Sequence, residues 1–252
     1  MLEYFVRQRL FVLSCICGIV GCSGGFKPLS YSSPQELMAV SEVKFRNGNC
    51  GDAGLGFRQV TNQLPVRDSL AVRARFLLAE CHFAMGEFLE AARQFRRVAN
   101  EAPTHPLAQS ALLRSGDSQA QLWTAPELDP TYGDAARVTY QEVIARYPRT
   151  AVARRAGLRL TVLAELFAEK EYENGNYYFR LKANSSAILY YKTVVSDYGA
   201  TSWAPLALIR LVEAYTRLDY QEEKVETCSN LRRFYPTAPR LDDVCPVEGG
   251  LP

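Results

Sequence analysis

The sequence predicts an all-α protein, a superhelical solenoid of about five helix pairs. Three observations predict it: a side-chain pattern that recurs five times, an amphipathic segment upstream of each recurrence, and no convincing two-residue alternation anywhere in the chain. Alternation of that kind is what a half-buried strand would show.

The recurring pattern is Ala-x3-Phe/Tyr-x2-Val-x4-Pro. It is complete at Ala53, Phe57, Val60 and Pro65, at Ala91, Phe95, Val98 and Pro103, and at Ala136, Tyr140, Val143 and Pro148. Two degenerate copies follow: Ala187, Tyr191 and Val194 with Gly199 in the proline position, then Lys224, Cys228, Leu231 and Pro236. Positions i, i+4 and i+7 share one stripe of a helix, where a small alanine admits a neighbouring helix and the aromatic ring fills the gap beyond. The proline ends that helix. The amphipathic segments upstream span residues 35–46, 69–85, 106–122, 151–173 and 203–218, and they are the first helices of each pair. Gly48 and Gly86 fall between first and second helices, where a left-handed residue closes the turn.

Helix pairs of this kind are tetratricopeptide-like. Their spacings of 38, 45, 51 and 37 residues exceed the ideal of about 34, so helices or connections are lengthened. The longest connection, residues 122–132 with Pro126, Asp129 and Pro130, lies inside the third repeat. Residues 34–104 then hold repeats one and two, residues 105–236 hold repeats three to five, and residues 237–252, with Pro239, Pro246, Gly249 and Gly250, form an irregular tail.

The first 21 residues have the form of an export signal. Arg7 and Arg9 precede a run of apolar or small residues, 10–21, that ends at Cys22. Twelve residues rising about 1.5 Å each reach about 18 Å, short of a hydrocarbon core of about 30 Å, which favours a cleaved signal over a permanent span. Ile19, Val20, Gly21 and Cys22 resemble the bacterial lipobox, which implies that Cys22 becomes the lipid-bearing N-terminus, with residues 22–33 a lipidated linker. Ser23 rather than aspartate follows the cysteine, which in such proteins points to the periplasmic face of the outer membrane.

Composition narrows the function classes. Basic and acidic residues number 29 and 27, so no global field would hold nucleic acid or an anionic membrane, and partners must be recognised locally. Two histidines, His82 and His105, and no C-x-x-C or H-E-x-x-H motif leave little material for a metal site; His105, before Pro106, suits a helix-start turn. Carboxylate pairs such as Glu169 with Glu171 and Glu222 with Glu223 lie on helix surfaces, no glycine-rich phosphate loop is present, and no serine sits in a nucleophile elbow. No catalysis and no cofactor are expected. Once Cys15 and Cys17 leave with the signal, Cys50, Cys81, Cys228 and Cys245 remain. An oxidising compartment allows Cys50 to pair with Cys81 and Cys228 with Cys245; the alternative is four buried free thiols.

Several segments resemble the BamD family, the lipoproteins of the outer-membrane β-barrel assembly machinery. Ala102-Pro103-Thr104-His105-Pro106 resembles the turn closing that family's second repeat, and residues 129–148 resemble its Asp-led third repeat ending in Arg-Tyr-Pro. Residues 163–195 are more specific, with a long helix, the paired Tyr177 and Tyr178 before Phe179 and Arg180, and a helix ending in Val194 and Val195. Residues 211–215 carry the likeness into the fifth repeat, and it covers roughly residues 33–236. Gly199, Lys224 and Tyr190 depart from the family pattern, Tyr190 standing where the family tends to place arginine.

The resemblance implies a tether at Cys22, binding of the periplasmic POTRA region of BamA and other assembly subunits through the C-terminal repeats, and receipt of unfolded barrel precursors through the N-terminal repeats. On the repeat frame, Met38, Glu42, Phe45, Arg73, Phe76, Glu80 and Phe83 face inward and are the candidates for client binding, though the phenylalanines could equally pack the superhelix. Tyr177, Tyr178, Arg180, Lys182, Tyr190 and Arg210 are the partner-binding candidates; the alternative is a solvated basic face beside core tyrosines. The rival scaffold, a periplasmic tetratricopeptide lipoprotein serving Tol or peptidoglycan synthesis, would usually carry an N-terminal coiled coil, and only about a dozen residues separate Cys22 from the first helix.

Overall fold

The computed structural model describes residues 25–246; the expected signal segment and the expected anchor at Cys22 lie outside the described residues. Among these, eleven α-helices follow one another with no strand. They are α1 (Pro34–Arg46), α2 (Cys50–Gln63), α3 (Ser69–Ala84), α4 (Phe88–Glu101), α5 (Ala108–Ala120), α6 (Thr131–Arg146), α7 (Ala151–Arg180), α8 (Asn184–Asp197), α9 (Trp203–Leu218), α10 (Gln221–Phe234) and α11 (Leu241–Val244). Each of the first ten packs on its chain neighbour, and α1 also touches α3, α5 touches α7 and α7 touches α9, which is the stacking of a solenoid.

Local chemistry sets the helix ends. Side chains of Ser33, Asn49, Asp68 and Thr150 accept hydrogen bonds from the free N–H groups that open α1, α2, α3 and α7. Gly48 and Gly86 take the left-handed conformation the sequence requires of them, at φ of 78° and 77°.

The five-fold pattern is the core. Ala53, Phe57 and Val60, Ala91, Phe95 and Val98, Ala136, Tyr140 and Val143, and Ala187, Tyr191 and Val194 are all buried, as is Leu231 of the last copy. Two of the aromatic rings lie directly on glycines of the preceding helix. A Cβ on Gly116 would stand 2.7 Å from the Tyr140 ring, and one on Gly175 would stand 2.4 Å from the Tyr191 ring. The residue after each glycine takes the tyrosine hydroxyl: Tyr140 donates to Asp117 at 3.0 Å and Tyr191 to Asn176 at 2.9 Å. Burial, first of all, pushes both phenols far above the usual tyrosine range.

Three sequence expectations need correction. The helix expected to end at residue 173 continues to Arg180, because Gly175 and Asn176 are not a break: they form the seat for Tyr191, and Tyr172 and Phe179 bury the same face one turn to either side. The tail expected to be irregular contains α11, held to α10 by the Cys228–Cys245 disulfide with 5.6 Å between Cα atoms. The predicted Cys50–Cys81 bond is not formed. Both are free thiols, and burial, then the neighbouring Cys50, pushes the enclosed Cys81 thiol strongly up.

The connection at 121–130 is also anchored. Trp123 is buried with its ring 4.5 Å from Phe167, and Lys170 donates to the carbonyls of Pro126 and Leu128 at 2.9 and 3.0 Å. The loop is thereby fastened along α7.

Two outcomes follow for stability. Gly175→Ala drives a methyl group into Tyr191 and should cost about 2 kcal/mol, read by thermal unfolding; an unchanged midpoint would show that the ring does not sit where described. Because α10 buries only Thr227 and Leu231, Cys228→Ser should lower stability by about 3 kcal/mol and make α10 and α11 the first segments to exchange amide hydrogens.

Candidate functional site

Two surfaces carry the candidate residues. The first is the inner face of α1, α3, α5 and α7, where an acid on one helix meets an arginine on the next. Glu42 pairs with Arg73 at 2.9 Å. Glu80 accepts from Nε and Nη2 of Arg114, at 2.8 and 2.6 Å. Asp117 takes Arg159 at 3.1 Å as well as the Tyr140 hydroxyl, with Arg114 at 3.5 Å. Burial alone would lower the pKa of Arg114, but the hydrogen bonds and charges of Glu80 and Asp117 outweigh it and raise it.

Against this polar line lies an apolar groove. Phe83, Trp123, Leu163 and Leu166 line a hollow of about 350 Å³ together with Arg114, Asp117 and Arg159. A second hollow of about 310 Å³, sharing those three polar residues, is lined by Phe76, Glu80, Arg155 and Leu158. Leu158 and Val162, one turn apart on α7, are 69% and 62% exposed along this groove.

The inward-facing candidates therefore divide. Phe76, Glu80 and Phe83 line the groove, Phe76 with its ring edge-on to Phe95 and Phe83 under the Arg114 guanidinium at 3.9 Å. Glu42 and Arg73 pair with each other on the first repeat. Met38 does not belong to a surface: it is 3% exposed because its side of α1 is pressed into the core of the first two repeats. Phe45 is half-buried and packs edge-on to Phe57. Arg114, Asp117, Arg155, Leu158, Arg159 and Val162 were missed, although the paired i, i+4 spacing of Arg155 with Arg159 and of Leu158 with Val162 is a readable sign of one mixed helix face.

The second surface is formed by the C-terminal end of α7, the turn after it, α8 and α9. Tyr178 and Tyr190 stack with ring centres 5.3 Å apart, and Tyr177 meets Tyr178 edge-on. The hydrogen bond that Tyr190 donates to the neighbouring Tyr178 phenol raises the pKa of Tyr190. Beside the stack, Phe179 is buried between the Arg210 guanidinium at 5.3 Å and that of Arg217 at 3.6 Å. A hollow of about 520 Å³ opens there, lined by Asn176, Phe179, Arg180, Lys182, Asn184, Arg210 and Arg217. Arg210 is paired with Glu213 at 2.8 Å; burial opposes its charge, but the hydrogen bonds it donates to Tyr172 and Glu213 raise its pKa. All six partner candidates thus gather in one region, the tyrosines as a stack and the cations around the hollow. Arg217 was missed because its role depends on a ring 38 residues away.

A family model described as an outer membrane lipoprotein, YfiO, matches residues 31–231. The chain belongs to this family. The YfiO match takes in both surfaces and stops before α11. Among curated relatives, the outer membrane protein assembly factor BamD of Caulobacter vibrioides is 28% identical over 230 residues, covering 88% of this chain and 75% of that protein. The protein of the same description from Rickettsia prowazekii is 30% identical over 100 residues, 40% of each chain. Among solved structures, a tetratricopeptide-repeat protein of Bacteroides fragilis is similar over 85% of this chain and 97% of its own, at 13% identity and a TM-score of 0.48.

The inner-face pairing carries a direct test. Arg114→Met keeps the stem over Phe83 but strips Glu80 of both its bonds, and should cost about 2 kcal/mol in thermal unfolding. A loss near zero would mean that water serves Glu80 equally well.

Proposed function

We propose that this YfiO-family chain is a lipid-anchored scaffold subunit for assembly of outer-membrane β-barrel proteins. The observation that carries the reading is the family match over residues 31–231, joined to a relative named as an assembly factor that the chain follows over 75% of its length. In this reading the groove along α3, α5 and α7 receives unfolded barrel precursors. An extended segment could lay apolar side chains against Phe83, Leu158 and Val162 while its backbone meets the polar line of Arg114, Asp117 and Arg159. The surface of α7 to α9 docks the periplasmic POTRA region of BamA. No bond chemistry is assigned to either surface.

The anchor is assigned to Cys22. The lipobox-like residues before it and the family's description as an outer membrane lipoprotein support this, and no helix among the described residues is long and apolar enough to cross a membrane.

Affinity purification of tagged protein from detergent-solubilised envelopes tests the reading, with Cys22→Ala as the unanchored control. Copurification of a POTRA-containing barrel protein, and movement of the Cys22→Ala variant from the membrane to the soluble fraction, are expected. Recovery of Tol or peptidoglycan-synthesis proteins without that barrel would replace this function with envelope coordination.

A further inference from the structure

We propose that residues 25–30 form a lip that lies on the phospholipid surface, with the Leu29 side chain at the headgroup boundary and the Lys27 ammonium on lipid phosphate. The inference rests on the lipid anchor assigned to Cys22 and adds which part of the solenoid the membrane meets.

Reach is the first ground. Of the linker expected at residues 22–33, the part from Phe26 onward is bound to the first helix pair. The Phe26 ring lies 3.3 Å from where a Cβ on Gly56 would stand, with the Lys44 ammonium over it at 4.6 Å and the Tyr31 ring 5.8 Å away between centres. The Ser30 hydroxyl donates to the Lys27 carbonyl at 2.8 Å and closes the single turn Pro28–Ser30, and the Ser32 N–H and hydroxyl donate to Glu36 at 3.1 and 2.7 Å. In the sequence only Ser23 and Gly24 separate Cys22 from Gly25. Three Cα steps span at most about 11 Å, whatever their arrangement. The headgroup layer is itself about 5–8 Å thick. A lipid-bearing Cys22 at the base of that layer therefore brings the lip to the phosphates.

The second ground is the outer face of the lip. Phe26 and Tyr31 turn inward and pack, half-buried, on the core of the first two repeats, where they cover the open end of the solenoid. A terminal cap that faces water presents a polar outer face. This one presents Leu29, at 80% exposure the most exposed large apolar side chain among the described residues. A lone exposed leucine is ordinary on a protein surface. One carried on a bound turn within reach of the bilayer stands where an interfacial residue gains from burial.

The third ground selects phospholipid over protein. Lys27, exposed and two residues from Leu29, makes no ion pair among the described residues, whereas Lys44 alongside is paired with Asp52 at 2.7 Å. One apolar side chain and one free cation are far too small an area for a stable protein interface. They suit the boundary between acyl chain and phosphate, where a lysine stem lies on apolar surface and its head reaches the anion.

The test places a photoreactive diazirine analogue of leucine at position 29 of the full-length, lipidated protein in native envelopes. The same group at Phe234, 61% exposed on α10, is the reference. After irradiation, intact mass should show phospholipid adducts at position 29 in at least about fivefold the yield at position 234. A yield at 29 no higher than at 234, in protein that sediments with the membrane, would overturn the lip and leave the anchor standing. Protein adducts at 29 in place of lipid would overturn it in favour of a protein partner. Sedimentation with the membrane that Cys22→Ala leaves unchanged would overturn the anchor, and the lip with it.

Discussion

Everything in this fold depends on how closely each second helix can lie on the first. In the first four pairs the contact is made by one aromatic ring, and where that ring is a tyrosine the facing residue is a glycine. Tyr140 on Gly116 and Tyr191 on Gly175 leave no room for a methyl group. The rings of Phe57 and Phe95 fill the same step of the pattern and are likewise buried. A close-packed interior tolerates no slack at such points, so the helix pairs are locked and the solenoid's inner face is a fixed surface.

The same contact organises the chemistry of that surface. The residue following each small one on a first helix is polar and faces inward: Glu42 after Ser41, Glu80 after Ala79, Asp117 after Gly116 and Asn176 after Gly175. In the two phenylalanine repeats these acids have no ring hydroxyl to serve and are paired to Arg73 and Arg114 of the next pair. In the third repeat Asp117 serves both the Tyr140 hydroxyl and Arg159. In the fourth, Asn176 takes the Tyr191 hydroxyl as a neutral group, and of the two cations flanking Phe179 Arg210 is paired with Glu213 while Arg217 makes no ion pair among the described residues. One structural frame thus yields a balanced polar line along the groove and an unbalanced positive hollow at its far end.

Much of this was legible in the sequence because it is periodic. The Ala-aromatic-Val stripe, the turn glycines and the first helices follow from local spacing, and α9 falls on residues 203–218 as expected. What escaped depends on contacts between repeats. Gly175 reads as a helix break until Tyr191 is seen lying on it. Met38 has the spacing of an inner-face residue, but its side of α1 is covered by neighbours. The ion pairs of Arg114 and Arg159 join residues 34 and 42 positions apart, and no local pattern selects the partners. Cys50 and Cys81 were brought together as expected, yet both remain free thiols, and burial raises the pKa of Cys81.

The central claim is that docking and client reception occupy different ends of one rigid inner face. Hydrogen exchange of the full-length protein, alone and with the POTRA region of BamA, tests it most directly. The account predicts slowed exchange across the C-terminal end of α7, the following turn and α9, with α1 to α3 unchanged. Slowing confined to α1 to α3 would contradict it.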